Sequence, residues 1–186
     1  LLTHDHYDHL EYATMQQLKN RKDLIFVAPL GVGERLKKWG ISKESIYELK
    51  WDENINLKGI EITALKGVHF SGRTWFDRNQ TLWASYKIKS KSKNIFWSGD
   101  TGYSKHFKEI GEKYGPFDLV AMEIDGWNDA WPNTHLYPKQ VVEAAIDLKS
   151  KMILPIHWGV FDLALHPWNE SIDMVLAEAE KRSEER

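Results

Sequence analysis

With 186 residues, 25 basic against 27 acidic side chains and a formal charge of -2, the chain is sized for one hydrophobic core. It lacks the basic excess that holds a nucleic-acid backbone, so no nucleic-acid partner is expected. The absence of cysteine excludes disulfides, zinc fingers and thiol catalysis, and no apolar run reaches the roughly 20 residues of a membrane span.

The chain opens on Thr3-His4-Asp5-His6-Tyr7-Asp8-His9, three imidazoles and two carboxylates within seven positions. Burying so many ionisable groups without a cation is expensive, and imidazole with carboxylate suits zinc, manganese or iron. Nothing precedes the motif to hold it, so the expectation is a chain that starts partway through its fold.

Beyond the motif the pattern predicts a helix over Tyr12–Lys19, a buried strand over Leu24–Ala28 stopped by Pro29, helical turns over Gly33–Trp39 and a strand over Ser45–Leu49. Strands follow at Ile60–Leu65, Leu82–Ile88 and Ile95–Trp97, then a helix over Tyr103–Tyr114 closed by Gly115-Pro116. Leu119–Ile124 and Met152–Ile156 read as buried strands, flanking a helix over Pro138–Leu148 with proline in its first turn. Ser171–Lys181 is the last helix expected. Lys87, Lys89, Lys91 and Lys93 read as the solvated end of a strand and hairpin. This order predicts a layered α/β domain over residues 1–186.

Metal-type side chains recur just past predicted strands: His69, Asp100, Asp125 and His157. Strand ends on one sheet edge converge into a pocket. His4 and His6 with His69 make one trio of nitrogens, and Asp8, His9 and His157 make a second group. Asp100 is placed to bridge two ions, each keeping an open position. Asp125, before Gly126, reads first as a turn residue. Arg73 is expected to pair with Asp77 or another local acid. The nine tryptophans are read first as core packing and second as an apolar substrate wall.

The string His4-x-His6-x-Asp8-His9 resembles the signature of the metallo-β-lactamase fold hydrolases. Gly67-Val68-His69-Phe70-Ser71-Gly72-Arg73, Ser98-Gly99-Asp100-Thr101-Gly102-Tyr103 and Ile156-His157-Trp158-Gly159-Val160-Phe161 agree with it. Thr3–Leu10 is similar to the branch containing the N-acylphosphatidylethanolamine-hydrolysing phospholipase D, with sugar-phosphate lactonases as neighbours. The resemblance implies an αββα sandwich, incomplete at its N-terminus, whose missing strands come from upstream or from another chain, and two Zn2+ ions; the ligand chemistry leaves Mn2+ or Fe as alternatives. One zinc falls to His4, His6 and His69, the other to Asp8, His9 and His157, with Asp100 between them. Asp8, Asp100 and His135 become the catalytic candidates, His135 by a His-x-x-Pro element that sets it beside the metals to hydrogen-bond a phosphoryl or carbonyl oxygen.

The expected activity is a phosphodiesterase of phospholipase D type, attacking with a dizinc-bound hydroxide. A lactonase or other carbonyl hydrolase, a di-iron redox protein and a closed structural metal domain are the rivals. A small-molecule or phospholipid-like substrate and a cytoplasmic or peripherally membrane-associated location accompany the first reading.

Overall fold

The computed structural model describes residues 1–184 as four layers. A two-stranded parallel sheet pairs β1 (Phe26–Pro29) with β2 (Ile46–Leu49). A six-stranded sheet runs in chain order through β3 (Asn54–Leu57), β4 (Ile60–Leu65), β5 (Ser85–Lys89), β6 (Asn94–Trp97), β7 (Leu119–Glu123) and β8 (Ile153–Ile156). The first four of these pair antiparallel, and β6, β7 and β8 pair parallel. Helices α1 (Tyr12–Leu18) and α2 (Val32–Lys38) flank the small sheet; α3 (His106–Tyr114), α4 (Pro138–Asp147) and α5 (Glu170–Glu184) flank the large one.

Alternation along each strand assembles the layers, because successive side chains leave opposite faces. On β1, Phe26 and Ala28 join Leu10, Met15, Val32 and Leu36 beneath α1 and α2, while Val27 turns inward. There it meets Leu49, Ile62, Ala64 and Tyr86 between the sheets. Phe96 points the other way, with Phe107, Phe117, Val141 and Leu148, into the core under the three helices. Burying each such side chain contributes about 1.5–3 kcal/mol. The chain therefore has the expected αββα order.

Departures from the sequence reading have local causes. Strand β3 was not expected; it enters a hairpin whose two turn residues, Lys58 and Gly59, both have positive φ, of 52° and 85°. Leu82–Ala84 lies outside β5 because Leu82 N–H bonds the Leu30 carbonyl just past β1 and Ala84 N–H bonds the carbonyl of Thr3 in the opening segment. Helix α3 starts at His106 rather than Tyr103, since the Ser104 hydroxyl and carbonyl accept the N–H groups of His106 and Phe107. Strand β8 is an edge rather than a buried strand, with Leu154 exposed. Lys87 is buried instead of solvated, its ammonium 2.5 Å from Glu61.

The strand directions also fix an edge. Since β4 and β6 are each antiparallel to β5, and β6, β7 and β8 are mutually parallel, the C-terminal ends of β4, β6, β7 and β8 lie together.

Candidate metal centre

Four loops meet at that edge. His69 follows β4, Asp100 follows β6, His157 follows β8 directly, and the segment after β7 leads to His135 ahead of α4. The opening motif is laid between the sheets: Leu2 N–H donates to the Val27 carbonyl, the Thr3 carbonyl accepts from Ala84, and the Tyr86 hydroxyl donates to the Leu2 carbonyl. A turn then brings His9 back, its N–H and that of Leu10 bonding the His6 carbonyl. Gly99, with φ of 57°, lets the Asp100 loop sit against Thr3, whose Cβ lies 2.9 Å from where a side chain would begin. His157 itself has φ of 61°, a left-handed conformation that costs a non-glycine residue about 1–3 kcal/mol and recurs at functional sites.

The fold brings all seven expected ligands together in two adjacent groups, with Asp100 in the second. Nε2 of His4 and Nε2 of His69 stand 2.8 and 3.3 Å from Nδ1 of His6. Both are 3.8 Å from Oδ2 of Asp100. In the second group His9 Nε2 lies 3.2 Å from His157 Nε2, 3.3 Å from Asp8 and 3.1 Å from Asp100. His157 Nε2 completes it at 3.5 Å from Asp8 Oδ2 and from Asp100 Oδ1.

These separations test whether a metal fits. Ligands held 2.0–2.1 Å from a tetrahedral ion lie about 3.3 Å apart, the spacing seen across the second group. Three facing imidazole nitrogens cannot all be satisfied by protons, and buried Asp100 Oδ1 has no hydrogen-bond partner. Electrostatics agree. Burial drives His4 well below its ordinary value and His69 down to about 3, leaving neutral donors. Burial also opposes charge on His9 and His157, yet the hydrogen bonds His9 donates to Asp100 and Asp8 raise the first to about 10, and the one His157 donates to Asp8 raises the second to about 9. Two carboxylates at this spot demand positive charge, which protons carry when no metal does.

His135 is set beside the two groups, its ring 5.5 Å from that of His69 and stacked 5.6 Å from that of His157. Its Nδ1 faces Oε1 of Glu123 at 3.4 Å. The sequence reading missed Glu123. It is fully buried at the end of β7, and its Oε1 accepts N–H groups from Leu136 at 2.9 Å and Thr101 at 3.4 Å. One carboxylate thereby ties the His135 loop to the Asp100 loop. Burial raises the Glu123 pKa, while the same carboxylate raises His135 against its own burial.

Two further residues find structural roles. Asp125 Oδ1 accepts from Gly126 N–H at 2.7 Å and the Ser171 hydroxyl at 3.2 Å, and pairs with His166 at 3.1 Å, as a turn residue anchoring α5. The Arg73 side chain does not pair with Asp77. Its guanidinium donates to the carbonyls of Asp5 at 2.9 Å and Leu10 at 2.7 Å, with a longer contact to His6, and stacks on Tyr7. Asp77 instead accepts from Arg35, which also reaches buried Asp5, and from the Arg73 and Thr74 backbone. Phe70, His135, Trp131 and Leu163 border a mouth of about 450 Å³ over the ligands. Trp158, Val160, Phe161 and Leu163 wall a side cavity of about 210 Å³ reaching Asp8 and His157.

A four-layer α/β sandwich with clustered histidines and aspartates at one sheet edge is the architecture of a metallo-β-lactamase-type domain. The chain belongs to the beta-lactamase superfamily: the family model described as a Beta-lactamase superfamily domain matches residues 1–158. It is 41% identical over 183 residues to an uncharacterised protein of Mycobacterium tuberculosis, covering 97% of this chain and 49% of that protein. To the N-acyl-phosphatidylethanolamine-hydrolyzing phospholipase D 1 of Caenorhabditis elegans it is 32% identical over 174 residues, covering 88% and 49%. The chain thus spans about half the length of these curated relatives. Among solved structures, the diiron beta-hydroxylase CmlA of Streptomyces venezuelae superposes with a TM-score of 0.76 at 15% identity, over 97% of this chain and 41% of that one. Among the described residues no helix is long and apolar enough to cross a membrane.

Proposed function

We propose that this chain carries the catalytic metal centre of a phosphodiesterase of the phospholipase D type, with His4, His6 and His69 holding one zinc ion, Asp8, His9 and His157 the other, and Asp100 bridging. The observation that carries the reading is the convergence of seven donors into two groups, with Asp100 of the second group 3.8 Å from His4 and His69 of the first. The similarity to the nematode phospholipase D supports a phosphodiester over a carbonyl substrate. Metals held there would supply a water of lowered pKa as the nucleophile and would stabilise charge developing on the attacked group.

The chain's own residues do the remainder. Asp8 and Asp100 would meet the metals as ionised carboxylates: in the metal-free chain the hydrogen bonds and positive charge of His9 and His157 already outweigh the cost of burial. Glu123 faces Nδ1 of His135, so a proton on Nε2 is the one that His135 brings to an oxygen of the substrate or of the departing group. The apolar mouth and side cavity suit an acyl or alkyl chain. Trp75 and Phe76, 97% and 90% exposed at the tip of the loop after His69, suit peripheral contact with the lipid surface that holds such a substrate.

Full-length protein reconstituted with zinc and offered a phosphodiester, a phosphomonoester, a lactone and a thioester tests the proposal. Turnover of the phosphodiester with two zinc ions per chain is expected. Turnover of the lactone alone, or a coloured iron centre in protein purified without added metal, overturns it. His135→Gln is expected to lower turnover and keep both metals; loss of metal would assign His135 to the ligands.

A further inference from the structure

The described arginines are nearly all committed. Arg21 pairs with Asp23, Arg35 with Asp5 and Asp77, Arg182 with Glu178, and Arg73 is spent on carbonyls of the metal-binding turn. Arg78 differs. Its guanidinium lies 4.4 Å over the ring of Phe70, it is exposed, and among the described residues it meets no carboxylate or carbonyl. It also borders the mouth above the metal ligands, which Trp131 and Leu163 line as well.

The surroundings fix that position. Phe70 packs edge-on against His6 at 4.6 Å and lies tilted against His69 at 4.8 Å, so the ring under the guanidinium rests directly on two ligand imidazoles. The loop bearing Arg78 is held at both ends: Asn79 N–H donates to the Ser71 carbonyl at 2.9 Å, and Asp77 accepts from Arg73 and Thr74. Gly72, with φ of 129°, brings its backbone so near that an added Cβ would stand 2.9 Å from Arg78 Cα, and its N–H is bound by Asp5. A guanidinium on a rigid aromatic shelf offers its in-plane donors sideways, free for a planar or tetrahedral oxyanion.

We propose that Arg78 is a substrate-binding residue that takes an anionic oxygen group, phosphate or carboxylate, at the rim of the metal centre, and so selects substrates with a negative charge beside the bond that is cut. This deepens the phosphodiesterase reading and rests on it for the phosphate form of the substrate. Removing one charge-assisted contact from a solvent-open rim corresponds to roughly a tenfold loss of affinity.

The test uses zinc-reconstituted full-length protein and the variants Arg78→Met and Arg78→Lys. Calorimetric titration with inorganic phosphate is expected to show about tenfold weaker binding for Arg78→Met and partial recovery for Arg78→Lys; titration with acetate separates phosphate from carboxylate recognition. In turnover of bis(p-nitrophenyl) phosphate the loss should fall on KM more than on kcat, with no comparable rise in KM for neutral p-nitrophenyl acetate. Unchanged affinity for both anions, or equal loss with both substrates, overturns the assignment. A wild-type protein that cleaves no phosphodiester defeats the phosphodiesterase reading, while the calorimetry still decides the role of Arg78.

Discussion

Replacing Arg73 with Met keeps the length of the side chain and deletes the cation that gathers the metal-binding turn. Two carbonyl contacts, at 2.9 and 2.7 Å, and the stack 3.8 Å over Tyr7 disappear together. A hydrogen bond to a charged group contributes about 1.5–3 kcal/mol when buried. Because this guanidinium is only half-buried, about 1 kcal/mol per contact is the working figure, with about 0.5 kcal/mol for the ring. The sum, about 2.5 kcal/mol, lowers the melting temperature by roughly 5–10 °C for a chain of this size. The freed turn also carries His4, His6, Asp8 and His9, and loss of groups that orient metal ligands weakens metal binding by about 10- to 100-fold. Urea unfolding of the metal-free protein and competition for zinc against a chelator measure the two effects separately. Wild-type stability together with wild-type zinc affinity in Arg73→Met would refute this account of the turn; Arg73→Lys, able to reach one carbonyl, should fall between.

Asp100→Asn should abolish turnover and release at least one metal, read by activity and elemental analysis; full activity would remove Asp100 from the bridge. Glu123→Ala leaves the Leu136 and Thr101 N–H groups without their buried acceptor and should destabilise by about 3 kcal/mol, whereas Glu123→Gln keeps an acceptor and should lose much less. Equal urea midpoints for the two variants would count against the tie between the loops. Burial lowers His106 from 6.5 to about 4, so the fold favours its neutral form. Its contribution is complete above the unfolded value and is lost as pH falls through that interval, by roughly 3 kcal/mol. His106→Asn should flatten the fall in stability over that pH range relative to wild type, and a parallel fall in both proteins would show that other groups carry it.

The sequence made the centre legible because its chemistry is written at strand ends, where a polar side chain interrupts an apolar run. His69, Asp100 and His157 stand out against Ile60–Leu65, Ile95–Trp97 and Met152–Ile156 for that reason. Glu123 escaped because it sits inside the run Leu119–Ile124 and was absorbed into it, although a carboxylate at a buried strand position already requires a partner. The role of Arg73 was hidden for a different reason: its acceptors are main-chain carbonyls, which carry no residue identity. The edge exposure of β8 depends on which strands neighbour it, and the interruption ahead of β5 on bonds to Leu30 and Thr3. Strand β3 did have a local signature in Asn54–Leu57 and the turn at Lys58-Gly59, too short and polar to stand out.

The segment carrying the first histidines is bonded on one side to β1 and on the other to the residues entering β5, while His69, Asp100 and His157 belong to the large sheet alone. An ion held by both sets would act as a rivet through the sandwich, adding a further tie to layers already joined by apolar contact and a few hydrogen bonds such as Leu82 N–H to the Leu30 carbonyl. Chelation therefore has a mechanical side as well as a chemical one. It should quicken amide exchange in β1 and along the stretch leading into β5, on opposite walls of the same seam, before it is felt beneath α3 and α4.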